Sequence, residues 1–495
     1  MRTSRAVLAA VTLAVTATAL PALSPAVSAV GPVISGHVAG STQFIEWVDV
    51  SGINASRLTS IGFTVGAKPG ATAKASSATY SKAYLLARGY LNTGAGTAHV
   101  PVVGLYQSYT NSVSIRVVEG SSTKTLTTTV TTPAYGDTRY VNPQVVVPRN
   151  PSVALNYSYM MMKNWSSSNA PVIVDVDGEV RWVGNGEFGP TQASTFQRNG
   201  IFYGSGTSLV RMELDGTNTL LKDYATSDHV DYIGHHNFDL GKSGVLLEVN
   251  AEGHQEDRII EVDFTGTVIK TFDFAKIIGD AMVAGGDVAS GIVEPSSDWF
   301  HNNAAAYWKA NDTLVVSSRE IGVFGISYST SKIKWILGDR SKLWYTFPSL
   351  RKFALTLPSG AVAPTGQHAV SITSQGELML FDNGTGSYNS PGNTVPGPSR
   401  SYGAPRRYTI NEKRLTASLA WSYERAQQVY SPICSSIYQD GKSYVVNYAS
   451  EGWGAHIRLV GLGAGDATAF EYVYPGDWSN GWNTQPVHLE GMKFS

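Results

Sequence analysis

The feature that most restricts the fold is a recurring unit. It consists of an apolar strand, a tight turn rich in Asp, Gly, Thr or Asn, and a second strand that often ends in an aromatic. It appears as PVIVDVDGEVRWV from position 171, LVRMELDGTNTLLKDY from 209 and RIIEVDFTGTVIKTFDF from 258. It returns as GISYSTSKIKWILGD from 325, RRYTINEKRLTASLAWSYE from 406 and IRLVGLGAGDATAFEYVYP from 457. Further hairpins, such as GVLLEVNAEG and GELMLFDNG, lie between these copies. Six copies of a four-stranded unit predict a six-bladed β-propeller over residues 153–495. A large irregular β-sandwich would account for the strands but not for the recurring outer hairpin. The turns are unevenly spaced, which fits long loops gathered on one face, where propellers usually bind ligands.

Composition agrees with an all-β protein: 50 glycines, 25 tyrosines and 11 tryptophans, with few long amphipathic runs. Residues 30–135 alternate apolar and polar positions in short runs (TQFIEWVDV, IGFTVGA, AHVPVVGLY, SVSIRVVEG, TKTLTTTVTT), which predicts a small Ig-like β-sandwich. Its histidines, His37 and His99, stand alone. A proline-bearing stretch over 136–152 reads as a linker. Arg2 and Arg5 before the apolar run Ala6 to Leu20, then SPAVSA, predict a signal peptide over 1–29 and an exported mature protein. No later run approaches a spanning length, so no membrane partner is expected after cleavage. The net charge of -1 offers no basic face for nucleic acid. The single cysteine, Cys434, rules out an intrachain disulfide and the paired-cysteine zinc sites, and reads as a small core residue.

The ten histidines are few enough for their placement to matter. His235 and His236 open the hairpin HHNFDLGKSGVLLEV, His301 opens HNNAAAYWKANDTLVVSSRE, and His368 opens QHAVSITSQGELMLFDNG. A lone histidine at a strand start is usually a satisfied structural residue. Three in corresponding positions of successive blades would instead converge at one mouth of the central channel. In the second hairpin, strands Asn302 to Trp308 and Thr313 to Arg319 pair across Lys309–Asp312. If Trp308 pairs with Thr313, His301 lies opposite Glu320 and within one place of Arg319.

The run FHNNA, NDTLVVSSRE, IKWILGD, GQHAV, GELMLFDNG and PSR resembles the bacterial arylsulfotransferases, the aryl-sulfate sulfotransferases that use no nucleotide donor. The stretch GLYQSYTNSVSIRV also resembles that family's N-terminal β-domain. The resemblance implies a six-bladed propeller, often a homodimer, that moves a sulfuryl group from an aryl sulfate to a phenol through a sulfohistidine, with no cofactor and no metal. His368 would then be the sulfated nucleophile, and His301 and Arg319 the rest of the core. His236 would be a further ligand, with His235 as the other choice, and Asn303 a polar substrate contact. Three positions depart from the family pattern: Ala369 where an acid is usual, Glu320 where a histidine is common, and Asn237 after the double histidine where Asp is usual.

The residue types suit this chemistry. A sulfate monoester spreads one charge over three oxygens, so transfer depends on positioning and electrostatic stabilisation. Arginine offers a permanent cation and a planar fork of donors, and a neutral imidazole can attack in line. Histidine can also serve as the acid for the departing phenolate, a role for His301 that His236 could share. Tyr232, Trp299, Phe300 and Trp344 are candidates for stacking on phenol rings, with blade packing as the competing reading for each. A histidine-ligated metal hydrolase and a non-catalytic ligand-binding propeller are the alternatives. An arginine beside three histidines argues against the first, and the His-Arg cluster is unneeded by the second.

Overall fold

The computed structural model describes residues 31–165, 170–185, 191–387, 397–478 and 480–495. Residues 1–29, expected from the sequence to be a signal peptide, lie outside the described residues. The fold is all-β. Its first part is an Ig-like sandwich of two sheets. One sheet orders strands Val33–Ala39, Ile45–Ser51, Thr97–Val103 and Leu91–Asn92. The other contains Ser77–Ser81, Leu58–Val65, Tyr109–Glu119 and Ser122–Thr132. Alternation along these strands sends Val48, Val50, Val100, Ile61, Phe63 and Ile115 inward, all at most 2 % exposed.

Among the described residues, six further sheets follow, arranged as in a β-propeller. Each recurring sequence unit forms an outer hairpin: Val172–Asp175 with Val180–Val183 in the first sheet, and Ser208–Glu213 with Asn218–Asp223 in the second. The last such pair, His456–Leu462 with Thr468–Pro475, lies in the sixth sheet. The first sheet takes its innermost strand, Asn483–Val487, from the far end of the sequence, where it pairs with Tyr159–Lys163. That pairing ties the two ends of the repeat together.

Two segments do more than the sequence suggested. Within 136–152, Gln144–Val147 adds a fifth strand to the last sheet by pairing with Thr468–Pro475. The terminal strand Met492–Phe494 leaves the repeat and pairs in parallel with Ser77–Ser81 of the sandwich. Sandwich and repeat also share a core, in which Tyr159, Ile173, Trp182 and Met212 pack with Val48 and Ile115. Short pairing signals in isolated stretches of three or four residues are too weak to reveal such long-range partners.

Candidate functional site

The three histidine-bearing strands share one local defect. Pairing register shifts between Ile233 and Phe238 in Val230–Leu240, between Asn302 and Ala304 in Asn302–Trp308, and between His368 and Ser371 in His368–Ile372. A β-bulge re-aims the side chains around it. Here it turns each histidine to a common point. The backbone records the cost: His301 has φ 52° and Ala369 has φ 54°, left-handed values that strain a non-glycine residue by roughly 1–3 kcal/mol. Gly234, at φ 90°, supplies the same bend ahead of the double histidine, where a Cβ would sit 2.5 Å from that of Ala193.

The bulge also corrects the expected register. Pairs from Trp308–Thr313 to Ala304–Ser317 run as counted, but Asn302 then faces Ser318. One residue has been absorbed, so His301 lies opposite Arg319, whose backbone N–H donates to the His301 carbonyl at 3.1 Å, and not opposite Glu320.

His236, His301 and His368 are all buried, at 7, 4 and 3 % exposure. His301 Nε2 lies 2.8 Å from His236 Nε2. On its other side, His301 Nδ1–H donates to Asp298 at 2.7 Å. Glu256 Oε2 stands 2.6 Å from the same nitrogen, off the hydrogen-bond line, as a second ionic neighbour. Burial and the Arg319 charge press His301 toward the neutral form, yet Asp298 and Glu256 outweigh them and its pKa is raised. His236 goes the other way, held well below the ordinary value by burial and by the neighbouring His235, His301, His368 and Arg319. The shared proton therefore sits on His301.

His368 differs again. Its Nδ1 lies 2.8 Å from Asn383 Oδ1 and 3.1 Å from the Gly366 carbonyl, both acceptors, and the Asn383 amide is oriented by donating to the Ser431 carbonyl at 2.7 Å. Nδ1 must carry the hydrogen, which leaves the lone pair on Nε2. That nitrogen is buried and has no hydrogen-bond partner among the described residues. Burial, then Arg319 and His301, push the His368 pKa down to about 3, so the ring stays neutral.

Arg319 is 11 % exposed, and its Nε donates to Glu320 Oε1 at 2.8 Å while Nη2 lies 3.5 Å from Asp298. The Glu320 departure thus aligns the guanidinium. Asn237 turns away from the histidines, donating to Asp239 at 2.6 Å and accepting from the buried Lys163. Ala369 offers no side-chain acceptor, and His368 Nδ1 is held by Asn383 instead.

A small cavity of about 10 Å³ is lined by His236, Asn303, His368, Ala369, Cys434, Trp482 and Asn483. That is room for roughly one water molecule. Asn303 donates to the Gln367 carbonyl at 2.9 Å, and its Oδ1 is buried without a partner among the described residues. His235 is not in the lining; its Nε2 lies 2.9 Å from Glu256 and its ring packs edge-on against His236 and His301. Trp299, Phe300 and Trp344 are fully buried core: Phe300 stacks on Phe274, and the Trp299 and Trp344 indoles donate to Asp257 and the Asp339 carbonyl. Tyr232 sits away from the lining, accepting from Gln192. The aromatic that does reach the cavity is Trp482, half-buried, 5.6 Å from the His236 ring and edge-on to exposed Trp165.

Sequence reasoning did not find Glu256, Asp298, Asn383 or Trp482. Only Asp298, three residues before His301, carried a local signal. Donor groups sufficient for a metal lie close together: His235, His236 and His301; His236, His368 and Cys434; and Glu256, Asp298 and His301.

The family model described as "Arylsulfotransferase (ASST)" matches residues 144–468, and that of the "Arylsulfotransferase Ig-like domain" matches 50–133. The chain is 26% identical over 359 residues to "Arylsulfate sulfotransferase AssT" of Escherichia coli O6:H1 (strain CFT073), covering 59% of this chain and 58% of that one. It is 26% identical over 343 residues to the protein of the same name from Lelliottia amnigena, covering 56% of this chain and 57% of that one. The match thus spans less than two thirds of either relative.

Proposed function

Because the chain belongs to the arylsulfotransferase family, we propose that it transfers a sulfuryl group from an aryl sulfate ester to a phenol through a sulfohistidine on His368. The observation that carries this reading is the His368 imidazole: neutral, fixed by Asn383 and Gly366, with an Nε2 that faces the cavity and has no partner among the described residues. In the first half-reaction an Nε2–S bond forms as the S–O(aryl) bond breaks. Arg319, whose charge already acts on the buried ring from outside the cavity lining, would face the sulfuryl oxygens as a fixed cation once substrate widens the cavity. His301 supplies the proton. It passes from Nε2 to His236, and His236 Nδ1–H delivers its own proton to the departing phenolate. The second half-reaction reverses the relay: the acceptor phenol loses its proton to His236, its oxygen attacks sulfur, and the N–S bond breaks. Asn303 Oδ1 and Asn483 Oδ1, both in the cavity lining, are acceptors available to orient the phenol hydroxyl. His235 acts from behind, sharing Glu256 with His301.

An aryl sulfate is far larger than the cavity, so binding widens it. Trp482, half-buried against exposed Trp165, is the wall against which the ring would lie. In the same reading, residues 1–29 direct export, 30–135 form the sandwich, 136–152 connect it to the catalytic unit over 153–495, and each of the six repeat sheets is one blade. A homodimer remains compatible with this scheme.

A zinc hydrolase built on the same histidines would place a dication near Arg319. The decisive assay mixes the purified protein with a chromogenic aryl sulfate, with and without phenol. Release that depends on phenol supports transfer. Equal release into water makes the protein a sulfatase, and stoichiometric zinc with activity lost to a chelator makes it a metal hydrolase.

A further inference from the structure

The transfer scheme leaves the thiol in the cavity without a task. Cys434 is 6 % exposed, at a left-handed φ of 60°, and its sulfur lies 4.0 Å from His236 Nδ1. It lines the same cavity as His368, whose Nε2 is buried and unpartnered among the described residues. The Cys434 sulfur and one ring nitrogen from each of His236 and His368 lie within 4.8 Å of one another.

We propose that this cavity is also a binding site for a monovalent thiophilic metal ion of the Cu(I) class, ligated by Cys434 Sγ, His236 Nδ1 and His368 Nε2. A sulfur bond of about 2.3 Å and nitrogen bonds of about 2.0–2.1 Å put trigonal ligands roughly 3.7 Å apart. The observed separations close to that with side-chain movements below about an ångström. Thiolate with imidazole selects a soft ion. Charge selects a monovalent one: the thiolate cancels its charge, so no extra cation is placed near Arg319, whereas a divalent ion would leave one there. Two protons leave as the ion enters, one from the thiol and one from the His236–His301 pair. His236 then turns its remaining N–H to His301. No oxidation state changes. Because the ion occupies the lone pair of His368, it blocks whatever that nitrogen does. The binding site does not depend on the transferase reading; its effect on turnover does.

The test is an anaerobic titration of the purified protein with Cu(I) against a chromophoric Cu(I) chelator. The wild type should hold one ion per chain, and Cys434→Ser and His368→Asn should each weaken it at least about a hundredfold. X-ray absorption of the copper-loaded wild type needs no variant and should show one sulfur and two nitrogen ligands. Failure to compete with the chelator, unchanged binding by Cys434→Ser, or coordination without sulfur would each overturn the proposal. In parallel, aryl sulfate turnover of each protein is compared with its own copper-free rate. The wild type should be silenced at one equivalent and Cys434→Ser should not. Sulfur-ligated copper in a protein with no turnover even without copper would leave the metal site standing and refute the transferase reading.

Discussion

In the sandwich, His99 Nδ1 lies 2.6 Å from Asp49, with side chains 42 and 46 % exposed. In the repeat, His301 Nδ1 lies 2.6 Å from Glu256, with side chains 5 and 7 % exposed. The separations are the same. Water screens the first pair, and His99 also stacks on Trp47. The second pair is dry and shares its surroundings with Asp298, Arg319 and three other histidines. Two unit charges 4 Å apart interact by about 1 kcal/mol in water and about 4 kcal/mol at an effective dielectric of 20. A short histidine–carboxylate contact is therefore no mark of a site. Burial and convergence are, because only there can one imidazole be held protonated and a neighbour neutral.

The strongest test of that contrast replaces one histidine from each region. His368→Ala should lower aryl sulfate turnover at least about a thousandfold, while His99→Ala should stay within about twofold. Comparable losses would erase the distinction. Next, Arg319→Ala should lower kcat/KM by about a hundredfold, as removal of a charge-stabilising donor does. Arg319→Lys should recover part of that loss, since it restores the charge without the planar fork. Asn383→Leu leaves Gly366 as the sole acceptor at His368 Nδ1 and should cost about tenfold in kcat, with KM little changed.

The smallest effect lies in the pH profile. His301 is raised, so kcat should fall as pH rises through its folded value, above about 6.5. His368, pushed down to about 3, stays neutral on the acid side, so no acid limb should appear near pH 6.5. Asp298→Asn removes one carboxylate that favours protonated His301 and should move the alkaline limb to lower pH. Steady-state rates across pH 5–9 would show it. The linkage has a matching sign in stability. What protonated His301 contributes is fully present below the unfolded pKa of about 6.5 and is lost as pH rises through its raised folded value.

The sequence was most legible where local rules govern. Each of the six recurring units forms an outer hairpin, because alternation and turn chemistry act over a dozen residues. Counting across Lys309–Asp312 found the register from Trp308 to Ala304 and failed only where the bulge at Asn303 absorbs a residue. That failure coincides with the site, where an unusual backbone is required to aim His301. The three converging histidines were visible as a repeated position. Their partners were not. Glu256 comes from the strand His254–Val262, Asn383 follows the strand Leu378–Asp382 in a stretch that reads as an ordinary turn, and Trp482 belongs to the segment that closes the first sheet. Nothing near those residues in sequence distinguishes them from Trp299 or Trp344, which go to the core.

In the proposed scheme His368 Nε2 receives the sulfuryl group. Mixing the wild type with excess aryl sulfate without acceptor, quenching within the first turnover and mapping the digested peptides by mass spectrometry tests it directly. A sulfuryl adduct on the peptide carrying His368, discharged by added phenol and missing in His368→Ala, is the predicted result. Full phenol-dependent turnover with no adduct at any time, or with an adduct on another residue, would contradict it.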